Sequence, residues 1–108
     1  MIDTYSIIYS PEARDDLKDI YSYIAFDLLV SGIAEGQVNR IRKIIRSLDF
    51  MPSRLSIVDW EPWKSMGMHK ILVDNFIVFY TVDDSQMEVS ILRILYAGRD
   101  IESIASQT

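Results

Sequence analysis

The sequence predicts an α+β domain, and three observations carry the assignment. Residues 5–9 form a short aromatic and β-branched segment, residues 13–48 hold two successive apolar stripes of helical period, and residues 68–96 hold three further β-rich segments. In that order the chain reads β-α-α-β-β-β with a short C-terminal helix, an antiparallel sheet packed against an N-terminal helix hairpin.

The first strand is Tyr5-Ser6-Ile7-Ile8-Tyr9, and Ser10-Pro11 ends it. A serine side chain accepts from the free amides of a helix start, proline fits the first helical position, and Glu12 then faces the positive end of the dipole. A helix is therefore predicted from Pro11. Ala13, Leu17, Ile20, Ile24 and Leu28 lie three or four residues apart, which lines them on one stripe and turns Asp15, Asp16 and Asp19 toward water. Ser31-Gly32 interrupts the pattern. Ala34, Val38, Ile41, Ile45 and Leu48 then repeat it until Pro52 forbids continuation, so the two helices are expected to form an antiparallel hairpin.

Residues 49–67 are irregular, carry Pro52, Trp60, Pro62 and Trp63, and read as a long connection of the kind that often holds function. Its indoles either pack the loop onto the sheet or offer stacking area to a base or a partner groove. Residues 68–73 and 76–82 read as strands joined by the tight turn Asp74-Asn75, and residues 83–86 supply a second turn. Residues 88–96 form the last strand, Gly98 breaks it, and Asp100 is placed to cap a short helix containing Ile101, Ile104 and Ala105.

With 108 residues, 49% of them apolar, the chain has material for one core, so a single domain over residues 1–108 is expected. The start lacks the basic and apolar stretch of a secretory signal, and no apolar run approaches the roughly 18 residues of a membrane span. A cytoplasmic protein without membrane contact is expected. The absence of cysteine excludes a disulfide framework or a thiol nucleophile, and the single histidine, His69, argues against a histidine metal site. No metal or cofactor is expected. A net charge of −5 argues against broad, sequence-independent binding to nucleic acid. Charge is nonetheless uneven: Glu12, Asp15, Asp16, Asp19 and Asp27 share one segment, and Arg40, Arg42, Lys43 and Arg46 share the next.

Three segments together resemble the RelE/ParE toxin superfamily of type II toxin-antitoxin systems, the plasmid-stabilisation type. YSIIYSPEARDDLKDIYSYIA is similar to the family's opening strand and first helix, FIVFYTVDD to a middle strand and its turn, and EVSILRILYAGRDIESI to the last strand and its exit. The resemblance implies a compact bacterial toxin neutralised by a small cognate antitoxin that wraps its surface. It touches operator DNA only indirectly, through that antitoxin. It implies one of two activities, ParE-like poisoning of DNA gyrase or RelE-like cleavage of messenger RNA in the ribosomal A site, and leaves room for an inactive, antitoxin-binding relative.

Cleaving RNA through its 2′-hydroxyl needs a base, cations for the phosphate and an acid for the leaving oxygen. Arg99 matches the arginine that follows the family's last strand, where it holds either a phosphate, an acidic antitoxin group or a neighbouring carboxylate. His69, Lys70 and Lys64 fall near the positions where the family's ribonucleases place basic side chains, and with Arg99 they make up the candidate catalytic set. Arg93, inside ILRIL, projects either toward a target phosphate with Arg99 or into a structural pair with a carboxylate. Tyr96 stands where many relatives are similar in having histidine; a phenol binds a phosphate or base but is a poor base at neutral pH. The C-terminal tyrosine of RelE-like enzymes falls near Ala105, which carries no proton. Arg40, Arg42, Lys43 and Arg46 are either a solvated helix face or, as the resemblance implies, the docking site of an acidic antitoxin helix.

Overall fold

The computed structural model describes residues 4–106; residues 1–3, read above as lacking a secretory start, lie outside the described residues. Strand β1 (Ser6–Tyr9) leads into helix α1 (Pro11–Ser22), then helix α2 (Ser31–Arg46), strands β2 (His69–Val73), β3 (Phe76–Asp83) and β4 (Glu88–Tyr96), and helix α3 (Ile101–Ser106). The predicted order of elements is the order found.

The sheet runs β1-β4-β3-β2, with β2, β3 and β4 antiparallel and β1 parallel to β4. The sheet is thus mixed rather than wholly antiparallel as expected. Alternation of apolar and polar residues specifies which face of a strand is buried, but not its neighbour or its direction. Here the helix hairpin returns the chain so that β1 lies beside the final strand, and direction follows from that placement.

β1 accompanies β4 only as far as Ile91, which leaves the edge of β4 open beyond it. The start of α1 closes that edge with side chains. Ser10 N–H donates to Ile91 O at 2.9 Å, Ser10 Oγ donates to Leu92 O at 2.9 Å, and Ile94 N–H donates to the Asp16 carboxylate at 2.8 Å. Ser10 Oγ also accepts from Ala13 N–H at 3.0 Å, the predicted helix cap. One serine therefore ends a strand, starts a helix and covers a sheet edge that would otherwise template foreign pairing.

α1 does not continue to Leu28 in regular form. Residues Tyr23–Asp27 are a π-turn, in which Leu28 N–H donates to Tyr23 O five residues back, and Leu29 adopts φ 57°. The wider turn rotates the stripe, so Ala25 is buried while Leu28 is exposed, against the expectation from the spacing. Ser31 and Gly32 are the first residues of α2 rather than the break, which falls at the left-handed Leu29. Asp16 also departs from expectation: it is buried rather than turned to water.

Both sheet faces are covered. Ala13, Leu17, Ile41, Ile45 and Leu48 pack from the helices onto Val78, Tyr80, Val89, Ile91 and Ile94, each such burial contributing about 1.5–3 kcal/mol for the larger side chains. On the other face Val58, Trp63, Met68 and Ala105 cover Phe79 and Leu95. The Trp63 ring lies 4.6 Å from that of Phe79 and 5.2 Å from Trp60, so the irregular segment is a packed layer built on the sheet.

Candidate functional site

The exit of β4 carries the chemistry-bearing residues, and its geometry starts from Gly98. A methyl group there would overlap the Tyr96 ring, so glycine lets that ring fold back over the chain, where it meets Phe76 edge-on at 6.0 Å. Ala97 N–H donates to Asn75 O at 2.8 Å and Arg99 N–H to Tyr96 O at 3.1 Å, which fixes the turn. Asp100 caps α3 by accepting from Ser103 N–H at 3.3 Å, as predicted. Arg99 is left exposed on the ridge between two grooves.

The first groove, about 550 Å³, lies between α1 and the end of β4, and Ile20, Tyr23, Ile24, Phe76 and Tyr96 give it an apolar lining with Asp19 and Arg99 at its margin. At the hairpin tip Phe26, Leu28, Leu29 and Ile33 are exposed apolar side chains as well. An exposed apolar surface of this kind marks a binding face. The second groove, about 280 Å³, lies between the sheet, the loop and α3, and its lining brings Lys70 and Arg99 together with Trp60, Phe79, Asp100 and Glu102.

The candidate catalytic set is divided by this arrangement. Lys70 and Arg99 share the second groove, while Lys64 sits in the exposed turn of residues 60–67 and is not part of its lining. His69 neighbours Lys70 on the strand, so its side chain points to the opposite face. It is buried there, its Nδ1 2.7 Å from Leu55 O and its ring stacked 5.2 Å from Tyr80. Tyr80 in turn donates to Pro52 O at 2.7 Å, and burial pushes its phenol pKa up to about 12.

Arg93 is committed elsewhere. Its Nε and Nη2 donate to the two carboxylate oxygens of Asp16 at 2.8 and 3.0 Å, and the hydrogen bond to Asp16 raises the guanidinium pKa above its ordinary value. Strand alternation would put Arg93 and Arg99 on one face only if β4 ran on regularly to Arg99. It ends at Tyr96, and Arg99 stands beyond it in the turn closed by its own N–H to Tyr96 O.

The four cations of α2 separate as well. Arg40 turns to the β2–β3 hairpin, where its Nε and Gln37 Nε2 donate to Asp74 at 2.8 and 3.0 Å and hold that carboxyl below its usual range. Asp74 is thereby fixed at φ 56° in the turn. Arg42 and Arg46 point instead into the groove between α1 and α2, where they join Arg14 and Lys18. Lys43 lies exposed on the outer surface. Sequence reading missed Arg14 and Lys18; their four-residue separation on α1 was the available signal.

A mixed sheet behind a helix hairpin is a fold shared with solved toxins of toxin-antitoxin systems. The sequence profile of the ParE toxin of the type II toxin-antitoxin system parDE matches residues 7–101, and the chain belongs to that family. The fold is similar to that of the chromosomal ParDE system from P. aeruginosa, with a TM-score of 0.71, 22% identity, and 87% of this chain and 97% of that chain covered. It is also similar to the RelBE2 toxin-antitoxin complex of Mycobacterium tuberculosis, with a TM-score of 0.64, 19% identity, and 89% and 93% covered. For an E. coli RelE mutant in the free state the values are 0.65, 15%, and 96% of both chains. Comparison with curated proteins gives no match. Among the described residues no group of three or more His, Cys, Asp or Glu is arranged to hold a metal, and no helix is long and apolar enough to cross a membrane.

Proposed function

We propose that this ParE-family chain acts in the cytoplasm as a growth-inhibiting toxin that binds a macromolecular target, DNA gyrase being the family's precedent, and is neutralised by a small cognate antitoxin. The observation that carries this reading is the dispersal of the candidate catalytic and phosphate-binding residues. His69 is sequestered on the helix side of the sheet, Arg93 is paired with Asp16, and Lys64 stands outside the groove that holds Lys70 and Arg99. What remains at the β4 exit, Arg99 beside Tyr96 and an apolar groove, suits adhesion better than acid–base work.

The antitoxin takes the apolar groove and the hairpin tip in this reading, and charge contributes through Arg99 and the outer cations of α2, Arg40 and Lys43. Arg42 and Arg46, facing the other way, contribute only if the antitoxin wraps both sides of the hairpin. DNA is contacted through the antitoxin, which is encoded beside the toxin.

A second reading, ribosome-dependent cleavage of messenger RNA, is favoured by one observation: Lys70, Arg99 and Trp60 line a single groove, which offers cations for a phosphate and a ring for a base. Induction without antitoxin separates the two. Double-strand breaks and an SOS response support gyrase poisoning; rapid loss of translation with A-site cuts supports the nuclease; normal growth sinks both and leaves an inactive, antitoxin-binding relative.

A further inference from the structure

A further groove lies away from the β4 exit, between the two long helices. Arg14 and Lys18 are four residues apart on α1, and Arg42 and Arg46 are four apart on α2. Four residues of helix rise about 6 Å, so each pair stacks its cations one turn apart on the same flank. The antiparallel packing of the helices brings both pairs to a common groove of about 630 Å³. In a chain of net charge −5 with 11 basic residues, this one groove gathers four of them and includes no carboxylate in its lining. Among the described residues none of the four is in an ion pair. Mutual repulsion of these cations opposes folding, and a bound polyanion would relieve it.

Between the two pairs the groove offers rings and a small apolar floor. Tyr9 and Tyr21 face into it, with Leu17 and Val38 beneath. Tyr9 is half-buried, which raises its phenol pKa, while the nearby Arg42 and Arg46 pull in the opposite direction. An amphipathic helix laid in a groove needs a row of apolar anchors over two turns. Two aliphatic side chains enclosed by four cations do not supply one. A ligand that unites a planar ring with closely spaced negative charges fits both halves, the ring against tyrosine and the charges between guanidinium and ammonium groups.

We propose that the α1–α2 groove is a binding site for a phosphorylated nucleotide, its phosphates held between Arg14, Lys18, Arg42 and Arg46 and its base set against Tyr21. The site is independent of the toxin reading and lies apart from the β4 exit. The nucleotide is either free or part of a single strand. An extended polyanion running out of the groove comes within a Debye length, about 8 Å, of the acidic remainder of the chain and is repelled there, which favours the free form.

The test is an amide NMR titration of the full chain with ATP, inorganic triphosphate, a short oligothymidine and a hexaglutamate peptide in turn. The expected result is saturable movement of the Tyr21, Val38 and Arg42 amides by ATP, with a Kd on the order of 1 mM or tighter. Arg42→Gln with Arg46→Gln weakens binding at least about tenfold, and Lys18→Gln weakens it less, both with unchanged circular dichroism. Tyr21→Leu weakens ATP more than triphosphate. Tighter binding of ATP than of oligothymidine identifies a free nucleotide, and the reverse identifies a strand. No movement at millimolar ATP, equal affinity for triphosphate and ATP, full affinity in the double variant, or tighter binding of hexaglutamate would each overturn the proposal.

Discussion

The Asp16 carboxylate holds the Arg93 guanidinium through both of its oxygens and takes the Ile94 backbone N–H as well. A residue of α1 thereby completes the hydrogen bonding of the strand whose exit carries Tyr96 and Arg99. Side-chain exposure of 17% for Arg93 and 8% for Asp16 makes the pair sensitive to loss of one partner. Asp16→Ala strands a charge and an amide, and is expected to destabilise by about 3–5 kcal/mol in urea unfolding. Adding Arg93→Met should restore part of the loss, because the unpaired charge is gone. Losses that simply add across Asp16→Ala, Arg93→Met and the double variant would show that the pair is not coupled.

His69 and Arg99 should separate in growth assays. His69→Gln is expected to leave toxicity intact, since the ring is buried against Tyr80 away from both grooves. Arg99→Ala is expected to reduce toxicity strongly at equal soluble yield. Loss of toxicity on replacing His69, with the fold preserved by circular dichroism, would reverse the preference for a non-enzymatic toxin.

Tyr80 sets an alkaline limit to stability. Its phenol ionises near pH 10 in the unfolded chain and at about 12 in the folded one, because burial opposes the charge. The folded state thus keeps a proton that the unfolded state has released. The stabilisation is complete below pH 10 and falls by roughly 2–3 kcal/mol as pH rises through 12. Denaturant midpoints across that window should decline in the parent and decline less in Tyr80→Phe, which also loses the hydrogen bond to Pro52 O.

Leu29 combines a left-handed backbone with 82% exposure, a conformation that disfavours any side chain except glycine. Leu29→Gly is expected to hold or raise the melting temperature, since relief of about 1–2 kcal/mol of local strain offsets the added freedom of the unfolded chain. If the hairpin tip binds antitoxin, the same change weakens that complex. A stabilised variant with unchanged antitoxin affinity would remove Leu29 from the interface.

Phe26→Asp addresses the same surface without touching the core. Phe26 is 68% exposed, so stability should change little while antitoxin affinity falls by an order of magnitude or more. Calorimetry with the purified antitoxin reads both quantities.

The sequence by itself determined the elements. Ser10-Pro11 announced α1, the three- and four-residue apolar spacing announced the helix pair, Asp74-Asn75 the hairpin, and Asp100 the last cap, because each signal acts through bonds within a few residues of itself. Family membership was legible for the same reason, as an ordered series of local patterns. The tertiary structure decided what depends on distant partners. It set β1 parallel beside β4, buried Asp16 against Arg93, and closed His69 in between Leu55 O and the Tyr80 ring. It also brought Arg14 and Lys18 across to Arg42 and Arg46, residues that α1 and α2 hold far apart in the chain. Local propensity fixes where a helix begins; only packing fixes which side chains meet across it.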